Sequence, residues 1–505
     1  MLFDVEQHWA DLALDPASDR PLYKQLAEAV RSLVNRGAIQ PGERLPATRE
    51  LAGQLGLNRT TVSAAYAVLE ESGLLEGQVG RGSFIAQHAD PLTGTGATSF
   101  RLDWEALLPP LEFPGGAGRK VDISFASSRP NAEAFPLAAF RRLSREVIES
   151  PEAAQILQLG SPHGYPPLRH YLLDQALAAG IARPGDDLII TNGCQQGLDL
   201  LARVFLGVDP ENRTVVLEDP VYHGMVRVFS RAGANILSVA VDAAGLDVNA
   251  LEEILRHTKP RLVAVTPSFQ NPTGTTLSLE RRKRLIELTR RFGVVLVESD
   301  IYSDLRYEGN ALPSLKQLDP SGDTILLNSY SKVSFPGLRV GWMIAPRPVI
   351  ARLAEAKQLS DLHSDQLSQA VLLRFAQSGE LARHVERGRT AGSDRLEAAL
   401  RACARHLPAG TTFSRPTGGM NLWIELPAPL TAETLLNRVE ERGVNFLPGG
   451  YFSAKRPHLR GLRLSFGGLS SEQITRGIQI LGQTAASELA AHTANLSLEP
   501  VAALV

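Results

Sequence analysis

Residues 325–342 read Ile-Leu-Leu-Asn-Ser-Tyr-Ser-Lys-Val-Ser-Phe-Pro-Gly-Leu-Arg-Val-Gly-Trp. The apolar run Ile325 to Leu327 breaks off into hydroxyls and a lysine, Ser329 to Lys332, and an arginine follows at 339. A short apolar run bounded by turn residues reads as a buried strand. The pattern recurs upstream at Leu188 to Thr191, Thr214 to Leu217, Leu262 to Thr266 and Val294 to Val297, with helical stretches between. Such alternation argues for an α/β body, a mostly parallel sheet flanked by helices. Polar residues stand just past these runs: Gly193 to Gln195, Asp219, Asn271, Asp300 and Ser329 to Lys332. The carboxyl ends of strands are where an open α/β sheet binds ligands. These groups are therefore expected along one edge.

Their types suit a specific chemistry. A lysine made nucleophilic by its surroundings forms a Schiff base with an aldehyde, although a lone lysine is far more often a surface residue. Asp300, after Val-Val-Leu-Val-Glu, suits pairing with a protonated ring nitrogen, the electron sink of pyridoxal phosphate chemistry. It suits a helix cap equally well. Tyr302 and Asn271 suit hydrogen bonds to the ring's phenolic oxygen, while Asn-Pro-Thr-Gly taken alone is a good turn. A phosphate needs backbone N–H donors at a helix start, with hydroxyls and an arginine. Gly193-Cys194-Gln195 offers the first, Ser329 and Arg339 the rest. Tyr222 suits a ring cover or, as readily, a core or interface position. Arg463 lies inside the apolar run Gly461 to Ser465, where an unpaired arginine is costly. A carboxylate clamp and a structural ion pair both explain it.

The remaining chain sets bounds. At about 150 residues per domain, 505 residues imply two to four domains. With 44% hydrophobic residues, 21% charged and 52 basic against 54 acidic, the composition excludes a disordered chain, a collagen-like repeat and a polycation. Cys194 and Cys403, 209 positions apart, make neither a disulfide framework nor a Cys-rich zinc site, and no metal is expected. The start is acidic and lacks the order of a secretion signal, and no run approaches the ~20 apolar residues of a membrane helix. A cytoplasmic protein is expected. Pro- and Gly-rich sequence between His88 and Lys120 reads as a linker. The expected division is a module over 1–87, a linker over 88–120, a body over 121–484 and a flexible tail over 485–505.

In the first module, Tyr23, Leu26, Ala27, Val30, Leu33 and Val34 recur at helical spacing and Gly37 stops the helix. Thr48 is a candidate cap for a second helix with Leu51, Ala52 and Leu55, and Asn58 for a third with Val62, Ala65, Tyr66 and Leu69. The turn Gly56-Leu57-Asn58 suits a helix-turn-helix. Leu74-Leu75 and Phe84-Ile85, separated by glycines, read as a hairpin wing. Arg59, Thr60, Thr61 and Ser63 lie at the start of the third helix, where such proteins meet base edges and phosphates. Arg44, Arg49 and Arg81 are candidates for backbone contacts. Against this stands the charge: residues 1–87 hold eight Arg and Lys and eleven Asp and Glu, net −3. A three-helix adaptor with solvated arginines is the alternative.

The stretch from Pro21 to Ile85, with Gln-Pro-Gly-Glu-Arg-Leu-Pro, Arg-Glu-Leu-Ala, Asn-Arg-Thr-Thr-Val and the glycine-rich wing, resembles the winged helix of GntR-type bacterial regulators. That resemblance implies operator contacts from Arg49, Asn58, Arg59, Thr60, Thr61 and the wing through Gly82. From about Val121 to Gly482 the chain is similar to fold-type I pyridoxal phosphate enzymes, the class I/II aminotransferases, with a mostly parallel large domain and a smaller α+β domain. The motif at 329–342, the Asn-Pro-Thr-Gly turn and the Asp300/Tyr302 pair carry that likeness. The fused layout resembles the MocR/GabR regulators. It implies pyridoxal 5'-phosphate held by Lys332 as an internal aldimine, with Asp300 on the ring nitrogen and Asn271 and Tyr302 on the phenolic oxygen. Ser329 and Arg339 would hold the phosphate, and Arg463 the carboxylate of an effector. One departure stands out: Leu159-Gly160-Ser161-Pro162-His163-Gly164 has leucine where relatives often carry a tyrosine reaching the neighbouring subunit's phosphate, leaving Tyr165 or another group to compensate.

The expectation is a homodimeric regulator that binds double-stranded operator DNA and senses a small amine or amino acid by external aldimine formation at Lys332. Its rival is a working aminotransferase with an accessory DNA-binding domain.

Overall fold

Leu26, Ala27, Val30 and Leu33 form one buried stripe on α1 (Leu22–Asn35), at the spacing that places residues on a single helix face. A computed structural model describes Trp9, residues 12, 14–16, 18, 20–78, 82–86, 107–108, 121–455 and 457–496. The chain divides into two compact units, Met1–Gly116 and Ala117–Val505.

In the first unit α1 is followed by α2 (Thr48–Leu55) and α3 (Arg59–Glu71). Thr48 is the first residue of α2 and Ala47 holds the cap position without a side-chain bond, so the expected Thr48 cap sits one place too far along. Gly56 ends α2 in the left-handed region at φ 64°, a conformation glycine adopts at no steric cost. Strands β1 (Leu75–Gln78) and β2 (Gly82–Ile85) pair antiparallel as the wing. Val62, Ala65, Tyr66 and Leu69 of α3 meet the α1 stripe, Leu51, Leu75 and Ile85 in one core, which also buries Trp9.

The second unit opens with β3 (Ile123–Ser124) and continues through β4 (Asp186–Thr191), β5 (Thr214–Asp219), β6 (Asn235–Asp242), β7 (Gly245–Leu246), β8 (Leu262–Val265), β9 (Val295–Ser299), β10 (Ile325–Ser329) and β11 (Gly341–Pro346). Strands β4 to β11 build one sheet in the order β4-β11-β10-β9-β8-β5-β6-β7. The pairs from β10 to β6 are parallel, while β11 runs antiparallel to both β10 and β4, and β7 to β6. Alternate residues point to opposite faces. Val215 and Leu217 accordingly join the core beneath α4 (Cys194–Leu206) and α5 (Arg347–Asp361), while Val216 joins the core on the other face. All five expected strands are present. Strands β6, β7 and β11 were not expected, and β11 lies between two of the expected ones.

The smaller subdomain carries an antiparallel sheet, β12 (Thr412–Phe413), β13 (Asn421–Glu425), β16 (Gly461–Ser465) and β15 (Leu447–Pro448) in that order, and a pair of β3 with β14 (Val444–Asn445). Helices α6 (Glu380–His406) and α7 (Ser471–Leu496) pack on it. Helix α7 corrects the expected tail over 485–496: Ile474, Ile478, Leu481 and Ala485 are fully buried at 4-3-4 spacing, one apolar stripe on a helix that runs to Leu496, and residues 497–505 lie outside the described residues. No helix among the described residues is long and apolar enough to cross a membrane.

Ala485→Asp, which puts a carboxylate into that core, is expected to lower stability by about 3 kcal/mol or more in urea unfolding followed by tryptophan fluorescence. A change within about 0.5 kcal/mol, the range of a surface substitution, would return the segment to a frayed tail.

Candidate functional site

On the first unit, Asn58 caps α3: its Oδ1 accepts from the Thr60 N–H at 3.1 Å and the Thr60 hydroxyl at 2.9 Å. Arg59, Thr60 and Ser63 are exposed on the first turns of α3 and Arg49 on α2. Thr61 is half-buried. Arg44 pairs with Phe84 in an isolated bridge, and a Cβ at Gly82 would lie 3.0 Å from its Nε. Arg44, Arg49 and Gly82 thus flank α3 and the wing. None of Arg44, Arg49 and Arg59 has an ion-pair partner among the described residues. Arg81 lies outside the described residues.

In the body, the expected groups converge at the carboxyl edge of the sheet. Lys332 sits in a short turn after β10, half-buried, with Nζ donating to the Ser128 carbonyl at 2.6 Å and lying 5.7 Å from the centre of the Tyr302 ring. Tyr302 is 1% exposed. Asp300 follows β9, and its Oδ2 accepts from Ser303 at 2.9 Å. Its Oδ1 is shielded from solvent with no hydrogen-bond partner, and burial raises its pKa.

Gly193 (φ 77°) precedes α4, whose first backbone N–H groups have no partner within the helix. A Cβ at Gly193 would stand 2.3 Å from Arg339 Nη2, so only glycine lets the guanidinium lie against this turn. Arg339 Nη2 donates to the Asn192 carbonyl at 3.2 Å. Ser329 Oγ donates to Val340 O at 2.9 Å and shares a bond with Ser331 Oγ at 2.7 Å. Cys194 lies near Lys332, Arg339 and Ser329, and burial pushes its thiol up to about 12, which keeps it neutral. The Tyr222 hydroxyl donates to Gln195 Oε1 at 3.3 Å, and burial raises its pKa to about 12.

Arg463 on β16 is 4% exposed. Nη1 donates to Asn271 Oδ1 at 3.2 Å, Nη2 donates to the Ala126 carbonyl, and the guanidinium lies 5.0 Å from the centre of the Phe452 ring. Its Nε is buried without a partner, and no acid pairs with it among the described residues. Burial brings its pKa down to about 10, still three units above neutrality, so it is a buried cation.

These residues fit pyridoxal phosphate. The unpartnered Asp300 Oδ1 is an acceptor waiting for a cationic N–H, and the Gly193 turn with Arg339 forms a cradle that a single Cβ would fill. Leu159 is 73% exposed. Tyr165, the expected substitute, packs among Val147, Ile156, Ala370 and Val371.

Sequence reasoning missed two neighbours, His223 and Tyr451, and the expected Asp219 faces elsewhere. His223 Nε2 shares a 2.8 Å bond with the Tyr451 hydroxyl, and its buried Nδ1 has no partner. Burial, with Arg227 and Arg463 nearby, lowers its pKa to about 4, leaving a neutral imidazole. The only signal was adjacency to Tyr222. Tyr451, in Pro-Gly-Gly-Tyr-Phe, carries no chemical pattern. Asp219 turns instead to the smaller subdomain, accepting from the Ala454 and Lys455 N–H groups at 3.2 Å each and bonding His458 Nε2 at 2.7 Å.

Comparison with known proteins agrees with this division. Residues 22–85 match the bacterial regulatory proteins of the gntR family, and residues 136–481 match aminotransferase class I and II. The chain is 38% identical to a 2-aminoadipate transaminase of Thermus thermophilus over 72% of this chain and 89% of that one. It is 30% identical to the probable rhizopine catabolism regulatory protein MocR of Rhizobium meliloti, over 93% of this chain and 95% of that one. The crystal structure of Pyrococcus horikoshii kynurenine aminotransferase, 33% identical, covers 77% of this chain and 98% of its own with a TM-score of 0.72. The transaminase covers the body, whereas the regulator matches through both units. The chain therefore belongs to the MocR-type DNA-binding regulators, in which a GntR winged helix precedes a pyridoxal phosphate-dependent aminotransferase class I and II body.

Proposed function

We propose that this protein is a cytoplasmic homodimer that senses a small amine or amino acid at Lys332 and changes its grip on operator DNA in response. The observation that carries this reading is the shared footing of two cations. Lys332 bonds to the Ser128 carbonyl and Arg463 to the Ala126 carbonyl, two residues apart in the segment by which the chain enters the body.

Pyridoxal phosphate supplies an aldehyde that amines capture reversibly and a ring that withdraws electrons. Lys332 Nζ would hold the aldehyde carbon and Asp300 Oδ1 the ring N–H. Asn271 and Tyr302 would serve the phenolic oxygen. The first N–H groups of α4 at Gly193 to Gln195, with Ser329 and Arg339, would hold the phosphate, and Tyr222 would cover the ring. An amino-acid effector offers an amine that competes with Lys332 and a carboxylate that satisfies Arg463, a charged guanidinium with no acid partner among the described residues. Satisfying either cation competes with a bond to residues 126–128, the first segment of the body after the linker. That gives the signal a physical exit, because a ligand shifts only states it binds unequally. A dimer would present two winged helices to paired half-sites.

Borohydride treatment of the loaded protein is expected to attach the cofactor to the peptide containing Lys332, and Lys332→Ala to lose the lysine-linked absorbance. An unchanged spectrum in that variant would remove Lys332 from the role.

Arg463→Ala is expected to lose the response of both the cofactor spectrum and operator affinity to amino acids, while keeping the response to amines without a carboxylate. Stopped-flow spectra, operator titration and product assay with the same ligands test this. A normal response to amino acids would refute the clamp. Rapid multiple turnover, at the ~1–10³ s⁻¹ of ordinary enzymes, with no effect on operator binding would favour an aminotransferase.

Arg59→Ala is expected to weaken operator binding by about 1–3 kcal/mol if it reads a base, or to reduce the salt slope by about one if it holds a phosphate. Mobility-shift titrations at several salt concentrations separate the two, and no change in either would take α3 out of the recognition role.

A further inference from the structure

Lys357 on α5 has no exposed surface, and its Nζ donates to Asp361 Oδ1 at 2.7 Å, one turn further along the helix. Burial lowers the pKa of this lysine and the bond to Asp361 opposes that shift. An apolar side chain of similar size would fill the space without desolvating a charge, so packing alone does not account for the pair.

The other carboxylate oxygen shows where the pair is aimed. Asp361 Oδ2 accepts from Asn192 Nδ2 at 2.7 Å and from Gln196 Nε2 at 2.6 Å. Gln196 Oε1 in turn accepts from the Asn192 N–H at 2.7 Å, and the Asn192 carbonyl accepts from Arg339. Asn192 and Gln196 bracket Gly193, Cys194 and Gln195. Asn192 is thus tied through its N–H, its side chain and its carbonyl. A Cβ at Gly341 would stand 2.9 Å from the Gly193 carbonyl carbon, so the backbone of β11 also packs directly on this turn.

We propose that Asp361 and Lys357 are positioning residues for the phosphate. Asp361 pins both ends of the 192–196 turn, and so orients the first N–H groups of α4. Lys357 holds Asp361 in place and cancels a negative charge that would otherwise repel a phosphate from this turn. The inference rests on the reading of this turn, with Arg339, as the phosphate cradle.

The test compares pyridoxal 5'-phosphate with pyridoxal, which carries the same aldehyde and ring but no phosphate. Both are titrated into cofactor-free full-length protein, and bound phosphate is followed by ³¹P NMR. Asp361→Asn and Lys357→Met are each expected to weaken pyridoxal phosphate binding between about tenfold and a hundredfold, the loss of a bond to a charged group. Pyridoxal affinity should stay within about twofold, and the ³¹P resonance should shift. Asn192→Ala, which leaves the Lys357–Asp361 pair intact, is expected to behave alike and serves should Asp361→Asn fail to fold. Equal losses for the two ligands, or no loss, would overturn the proposal by reducing the pair to a structural role. Arg339→Ala is the control: if it loses the preference for the phosphorylated ligand while Asp361→Asn and Asn192→Ala keep it, the positioning role alone fails. If Arg339→Ala also keeps the full preference, the cradle assignment fails, and this inference with it.

Discussion

A side chain at Gly341 would collide with the backbone of Gly193, and the meeting of the Lys332–Arg339 loop with the turn before α4 depends on that close approach. Strand β11 runs against its neighbours and lies between β10 and β4. Its first residue, Gly341, pairs with Ser329 on one side and Thr191 on the other. The loop that carries Lys332 and Arg339 is therefore returned to the sheet directly beside the turn that opens α4. Sequence distance is irrelevant here: residues 193 and 339 are brought within contact because a glycine on each side lets backbone meet backbone and guanidinium. A larger residue at either position would push the cradle apart.

The charges around this edge form an unfinished set. Arg463 is a buried cation with no acid partner among the described residues, and Asp300 keeps a shielded oxygen with no donor. Burial holds Cys194 and Tyr222 protonated and His223 neutral, so none of them supplies the missing charge. Unpaired buried charges are expensive. A ligand carrying a cationic ring nitrogen and a carboxylate would complete both at once. The site's complementarity therefore lies in what it lacks, and a residue-by-residue tally of its existing bonds understates it.

Much of this was legible in the chain, for definable reasons. Strands β4, β5, β8, β9 and β10 are short apolar runs ending in polar residues, and that junction is both a strand signal and a site signal. Strand β11 was not legible, because its first residues, Gly341 and Trp342, belong to the polar motif that follows β10, and the turn signal Pro336-Gly337 falls inside that motif. For Arg463 the sequence left two readings open, and only the surroundings of its guanidinium reduce them. The Lys357–Asp361 pair was invisible: an i, i+4 lysine and aspartate on a helix ordinarily form a solvated surface pair, and only the packing of α5 buries Lys357. Ala485 misled for the converse reason, since alanine and small polar residues signal a loose end only when nothing packs against them.

The winged helix shows the same gap between composition and placement. Residues 1–87 are net acidic, which read alone argues against a nucleic-acid partner. Yet Glu28 lies 3.6 Å from Arg20 and 3.5 Å from Arg31, so two basic residues already share an acid beside α1. Arg44, Arg49 and Arg59, flanking α3 and the wing, pair with no acid among the described residues. Net charge sets how the unit behaves at a distance. Contact depends on which charges remain unneutralised where the backbone of the duplex would lie.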